Sequence, residues 1–454
     1  MFQSVNPATG ARVSDYSAHN EMQTRDIISQ VHLAWMQWKD VPFSQRAVLM
    51  ERTAEVLLDG KEEYARLMVL EMGKPIQQAR AEVEKCASVC RYYASHADRF
   101  LAPEPIATEN TESFIAYNPL GVVLAVMPWN FPFWQVFRFA APALMGGNAG
   151  LLKHASNVMG CAMAIEEVFR KAGFPENVFR TLRIAGRDVA AVIENPLVKA
   201  VTLTGSVGAG VAVASKAGGQ LKKTVLELGG SDPYLVLEDA DLELAATACV
   251  ASRMINGGQS CVAAKRFIVV DAVYDQFEAI FLEKMRQKKM GDPFDEHSDL
   301  GPQAQVNLRD ELHQQVLDSI SLGARCLLGG YIPDQPGAWY PPTVLAEVKP
   351  GMPAWQEELF GPVAALIRAG NETEAIRIAN DSIFGLGAAV FTRNPDRGRY
   401  IAQHLLNAGS CFVNDFVKSD PRLPFGGIGH SGYGRELSYL GIREFMNVKT
   451  VVVK

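Results

Sequence analysis

A chain of 454 residues, 48% hydrophobic and 21% charged, exceeds what one hydrophobic core serves, so two or more domains are expected and neither disorder nor a fibre fits. Its net charge of −6, with no long Lys/Arg run, excludes a nucleic-acid backbone as the natural partner. Residues 1–13 lack a signal-peptide pattern, and the apolar stretch 120–145 is broken by Pro128, Asn130, Pro132, Arg138 and Pro142, so a cytoplasmic protein without membrane spans is expected.

Between residues 26 and 100 apolar side chains recur at helical spacing, as in Ile27, Val31 and Trp35 and again in Leu57, Tyr64 and Met68. This predicts a helical region ahead of everything else. Short β-rich runs follow at 121–127, 150–153, 178–184 and 199–204, separated by helical stretches at 159–171 and 187–194. Such alternation predicts an α/β fold built from βαβ units around a parallel sheet. A second α/β stretch is expected from about Ser231, with YLVLEDA, RFIVV, CLLGG and AALIRA as its strands. The β-branched tail, 448–453, would make a poor exposed edge, and pairing with another subunit's sheet would cover it.

Two short stretches carry chemistry. TLTGSVGAG (202–210) closes a predicted strand and opens a helix, a place where backbone N–H groups and a helix N-terminus favour a pyrophosphate, although a plain tight turn reads the same way. INGGQSC (255–261) gathers two glycines, a glutamine and a serine before Cys261. The seven cysteines are odd in number and scattered, so no disulfide framework is expected, and no second pair or nearby histidine turns Cys86 and Cys90 into a metal site. Cys261 could be an inert buried thiol or a nucleophile, and a cofactor-independent Cys hydrolase stays open because a histidine distant in sequence could lie close in space.

MPWNFP (127–132), LLKHAS (151–156), LTGSVGAG (203–210), LELGG (226–230), GGQSC (257–261), EELFGP (357–362) and PFGGIGHSGYGRE (424–436) follow one another along the chain. As an ordered set they resemble the aldehyde dehydrogenase superfamily over nearly the whole length, and within it the succinate-semialdehyde dehydrogenases. The resemblance implies a Rossmann-type cofactor domain (1–102 and 120–228), an α/β catalytic domain (229–435) and a small β oligomerisation element (103–119 and 436–454). A homodimer or dimer of dimers is implied with it.

The resemblance also assigns roles. Cys261 is implied as the nucleophile that forms a thiohemiacetal and then a thioester. Glu227 is implied as the general base; a carboxylate ending an apolar strand would otherwise read as a solvated terminus. The Asn130 amide, with the Cys261 backbone N–H, is implied as the oxyanion hole, a role compatible with an ordinary Asn turn before Pro132. Met127, Trp129, Lys153, Ser156, Gly205, Ser206, Glu358 and Phe360 are implied as dinucleotide contacts, Glu358 being otherwise a surface acid. Ser156 stands where NAD-preferring relatives often carry a glutamate, so NADP is the preferred cofactor and NAD a possible one. Arg138 and Ser419 match residues that bind a distal carboxylate in the semialdehyde enzymes, with Trp134 walling the aliphatic chain. Arg138 would otherwise be paired with an internal acid, and the competing readings are another short ω-carboxylated aldehyde such as glutarate semialdehyde, a general aliphatic aldehyde, or a non-catalytic relative. The chain departs from the family in having Gly429 where lysine is common in PFGGxK, which touches assembly rather than catalysis, and it has no second cysteine beside Cys261 for a redox switch.

Overall fold

The computed structural model describes residues 1–454. It begins with an antiparallel hairpin, β1 (Phe2–Val5) and β2 (Arg12–Tyr16), so the helical region does not precede everything else. The hairpin escaped the hydrophobic pattern because its anchor is polar: Ser4 is fully buried and donates its hydroxyl to Glu71. Four helices follow, α1 (Glu21–Trp38), α2 (Phe43–Asp59), α3 (Lys61–Met72) and α4 (Ile76–Phe100). A reciprocal cap between Asn20 and Gln23 starts α1, and Gly73, left-handed at φ 75°, ends α3. Val83, Cys86, Ala87, Cys90 and Tyr93 turn one face of α4 into the core.

The chain then builds β3 (Glu104–Pro105), β4 (Glu112–Pro119), β5 (Val122–Met127), α5 (Trp134–Met145), β6 (Ala149–His154), α6 (Met159–Lys171), β7 (Phe179–Thr181), α7 (Val189–Glu194), β8 (Val198–Thr204), α8 (Val207–Gly218) and β9 (Lys223–Glu227). Strands β7, β6, β5, β8 and β9 lie side by side and parallel, and Gly432–Tyr433 closes the far edge antiparallel to β9. Helices cover both faces, which is why VVLAVM reads as a continuous apolar run rather than an alternating one. The α/β expectation therefore holds.

A second sheet has the order Arg325–Leu328, Thr343–Ala346, Val363–Ala369, β11 (Arg266–Val270), β10 (Pro233–Val236), Gly387–Phe391 and Ser410–Val413. It is parallel except for the Arg325–Leu328 edge. In a third sheet the tail strand Met446–Val453 pairs along its whole length with β4, which carries β3 on its other side. One edge of the tail is thus covered by its own chain, and Val448, Val452 and Val453 stay exposed on it. In the first sheet, β5, β6, β8 and β9 end at Met127, His154, Thr204 and Glu227, so four of the predicted motifs leave from the carboxyl ends of neighbouring parallel strands. A crevice at such ends is where open α/β sheets bind ligands.

Candidate active site

The Cys261 loop follows α9 (Leu242–Met254) and owes its shape to residues few side chains could replace. Asn256, Gly257 and Gly258 all have left-handed backbones, at φ 53°, 60° and 77°. A Cβ on Gly258 would run into the Gly361 backbone, so the loop is pressed against the EELFGP segment. The Asn256 amide donates to the carbonyls of Asn130 (2.7 Å) and Gln259 (3.1 Å), and the buried Lys265 ammonium donates to those of Ser260 (3.0 Å) and Cys261 (2.6 Å). Held in this way, Cys261 faces a cavity of about 390 Å³ that is also lined by Lys85, Trp134, Arg138, Ser419 and Phe425.

Burial pushes the Cys261 thiol up to about 11, against the pull of the nearby Arg138 and Lys265 cations. The resting group at neutral pH is therefore the thiol. Glu227 is 2% exposed and lies in the wall behind the cavity, not on its surface, with no hydrogen-bond partner for either carboxylate oxygen. Burial, with the Glu436 carboxyl beside it, raises its pKa well above the ordinary carboxylate value, and Arg138 opposes the rise. Arg138 joins the two places. Its guanidinium lines the cavity, pairs with Glu436, and donates to the Thr204 hydroxyl (3.3 Å), the residue opposite Glu227 across β8 and β9. Arg138 is thus paired with an internal acid while it still lines the cavity.

Asn130 is 4% exposed; its amide donates one hydrogen to the Gln259 carbonyl at 3.1 Å, which leaves the second free. The PWNFP turn is pinned from LLKHAS by His154, whose Nε2–H donates to the Pro132 carbonyl (2.9 Å) while Nδ1 accepts from the Ala155 N–H (2.9 Å). Burial lowers His154 to about 4, so it stays neutral and keeps that pattern.

The expected dinucleotide contacts fall into two groups. Trp129 meets Phe360 edge to face at 5.7 Å, with Met127 buried at the end of β5. Glu358 is no free surface acid: it accepts from the Gly230 N–H at 3.0 Å and pairs with Lys265 at 3.3 Å. Glu358 and Phe360 also border a separate depression of about 460 Å³ on the outer side. In the second group Lys153 lies one residue before the end of β6, its pKa lowered by burial alone, and Ser156 is exposed three residues on. Ser206 caps α8, its hydroxyl accepting from the Ala209 N–H at 3.4 Å, and the Gly205 N–H donates to the Glu227 carbonyl at 3.0 Å. A cation without a carboxylate partner, an exposed hydroxyl and the start of a twelve-residue helix make a donor set that fits an anionic dinucleotide.

An aldehyde dehydrogenase family model matches residues 1–451. This chain belongs to the aldehyde dehydrogenase family. It is 51% identical to a probable NADP(+) succinate-semialdehyde dehydrogenase of Synechocystis sp. over 98% of each chain. It is 47% identical to an NAD(P)+ succinate semialdehyde dehydrogenase of Escherichia coli, over 99% of this chain and 97% of that one. The crystal structure of the succinic semialdehyde dehydrogenase from Streptococcus pyogenes with NADP+ superposes with a TM-score of 0.97 at 36% identity, each chain covered completely.

Four residues of this aldehyde dehydrogenase escaped the motif reading. Glu436 was only the end of a motif, and Lys265 and His154 read as unremarkable neighbours of better signals. Lys85 sits half-buried on α4, where a lysine beside an apolar stripe usually means a stem lying along the surface with its charge in water. No helix of the structure is long and apolar enough to cross a membrane.

Proposed function

We propose that this aldehyde dehydrogenase oxidises succinate semialdehyde to succinate, with NADP+ preferred and NAD+ accepted. The observation that carries the reading is the shared cavity: the Cys261 thiol and two donors suited to a carboxylate, Arg138 and Ser419, line one space walled by Phe131, Trp134, Val417 and Phe425. A short semialdehyde has an aldehyde at one end and a carboxylate at the other, which matches that division.

In this reading Cys261 attacks the aldehyde carbon as its proton passes to the ionised form of Glu227. The free Asn130 amide hydrogen and the Cys261 N–H receive the developing oxyanion; losing one such donor typically costs ~10²–10³ in rate. The dinucleotide, held by Met127, Trp129, Lys153, Ser156, Gly205, Ser206, Glu358 and Phe360, supplies the hydride acceptor. Once Glu227 has released that first proton to solvent, it takes another from the water that attacks the Cys261 thioester; the C–S bond breaks, the acid leaves, and the proton held by Glu227 passes to the sulfur to restore the thiol. Ser156, exposed and uncharged beside Lys153, favours a 2′-phosphate.

The same reading takes 1–102 with 120–228 as the cofactor domain, 229–435 as the catalytic domain, and 103–119 with 436–454 as the oligomerisation element of a homodimer or dimer of dimers. The exposed valines on the free edge of the tail strand support it. All seven cysteines are free thiols, as suits a reducing compartment such as the cytoplasm. The test is kcat/KM for succinate semialdehyde, glutarate semialdehyde and butanal with each dinucleotide. Succinate semialdehyde with NADP+ should lead; a lead for butanal would refute the substrate assignment.

A further inference from the structure

The substrate cavity holds more positive charge than the motifs account for, and the charges are not equivalent. Four of its lining residues are cationic. Arg138 is paired with Glu436, Lys288 with Asp299 at 2.9 Å, and Lys418 with Asp415 at 2.7 Å. Lys85 has no such partner: its ammonium lies over the face of Trp134, 4.3 Å from the ring centre, and donates to the Ser419 hydroxyl at 2.8 Å. The acids nearest to it are engaged elsewhere. Glu82 is bound by Lys74 and by the backbone N–H groups of Phe133 and Trp134, and Asp420 by Arg422. A half-buried cation facing only a hydroxyl and an aromatic ring is short of an anion.

Resting on the carboxylated-aldehyde reading above, we infer that Lys85 is a specificity-determining residue that receives the substrate's distal carboxylate together with Ser419, and that it supplies the uncompensated charge of the pocket. Ser419 accepts from Lys85 through a lone pair, so its own hydroxyl proton is free to donate, and the ammonium and hydroxyl converge on one point. Trp134 lies under the ammonium. Arg138, already neutralised by Glu436, then adds a donor but little net charge.

A titration separates this role from a packing role. Burial first, then repulsion from Arg138, lowers Lys85 to about 8, with Glu82, Asp420 and Cys86 pulling weakly upward. The substrate carboxylate is ionised throughout the neutral and alkaline range. The ratio of kcat/KM for succinate semialdehyde to that for butanal should therefore fall as pH rises through 8 in the wild type, because free enzyme loses the Lys85 charge; taking the ratio cancels the titration of Cys261.

The experiment measures that ratio from pH 6.5 to about 10 for the wild type, Lys85→Met and Lys85→Arg, the arginine keeping its charge throughout. The expected result is a ratio at least about 30-fold lower in Lys85→Met at pH 7, the loss appearing in KM more than in kcat, with a flat profile in Lys85→Arg. A wild-type ratio that stays level through pH 8, or a Lys85→Met ratio equal to that of the wild type, overturns the inference even though the semialdehyde preference stands. A wild type that does not favour the semialdehyde at any pH overturns the substrate reading itself and the inference with it. Should Lys85→Met fail to fold, the wild-type and Lys85→Arg profiles decide the question.

Discussion

Arg138 stands in two circuits at once, and replacing it should not give the selective loss expected of a simple substrate contact. Its guanidinium and the Glu436 carboxyl are 2% and 5% exposed, so Arg138→Met leaves an uncompensated acid in the wall. Breaking a buried pair from one side costs ~3–5 kcal/mol of stability, whereas removing both partners costs much less. Glu227 feels the same change, because Arg138 lowers its pKa and Glu436 raises it. Loss of Arg138 alone makes the base harder to ionise, and the acid limb of the rate profile with butanal should move to higher pH. In Arg138→Met/Glu436→Gln the opposing influences leave together, and the limb should return toward its wild-type position. Succinate semialdehyde should behave differently: the single and the double variant both lose a carboxylate donor, by ~30-fold or more in kcat/KM if at least 2 kcal/mol goes with it. The assay is kcat/KM from pH 6 to 9 for both aldehydes in the wild type, the two single variants and the double. Unchanged butanal kinetics in Arg138→Met would refute the coupling to Glu227. Recovery of the semialdehyde rate in the double variant would show that Arg138 acts only through Glu436 and does not touch the substrate.

Three further outcomes follow from the same geometry. Because burial holds Cys261 as a thiol up to about 11, inactivation of the free enzyme by iodoacetamide should accelerate roughly tenfold per pH unit between 7 and 9; a plateau below pH 8 would mean an ionised resting cysteine. Gly258→Ala would force a Cβ into the Gly361 backbone at a left-handed residue and should lower kcat at least about tenfold, while Gly218→Ala, at a glycine with open space around it, should be neutral, as steady-state rates would show. Ser156→Glu should lower the NADP+ to NAD+ ratio of kcat/KM by about tenfold or more through repulsion of the 2′-phosphate. An unmoved ratio would remove Ser156 from the cofactor site.

What was legible in the amino-acid sequence follows from how each element earns its stability. Parallel strands packed on both faces, such as VVLAVM, are rich in apolar residues, and their ends carry motifs, so β5, β6 and β8 and the residues beyond them could be placed. The β1–β2 hairpin could not, since its anchor is one buried serine on a carboxylate 67 residues away. Arg138 lies on α5 among apolar neighbours, and that local pattern does not show what a buried guanidinium there would meet. What holds Arg138 in place is Glu436 and Thr204, on distant segments. Lys85 and Ser419 are 334 residues apart, and nothing in either local pattern announces the other. Ion pairs and polar contacts between remote segments were the hidden layer, and they set the charge balance of the pocket.

The most direct test of the account is the covalent state of Cys261 during turnover. Wild-type enzyme mixed with succinate semialdehyde and NADP+, quenched in acid within milliseconds and digested, should yield the Cys261 peptide carrying a succinyl thioester by mass spectrometry, and Glu227→Gln, slowed in the attack of water, should accumulate more of it. Product formation with Cys261 unmodified at every time, and continued turnover in Cys261→Ser, would contradict the thioester route and the role given to that cysteine.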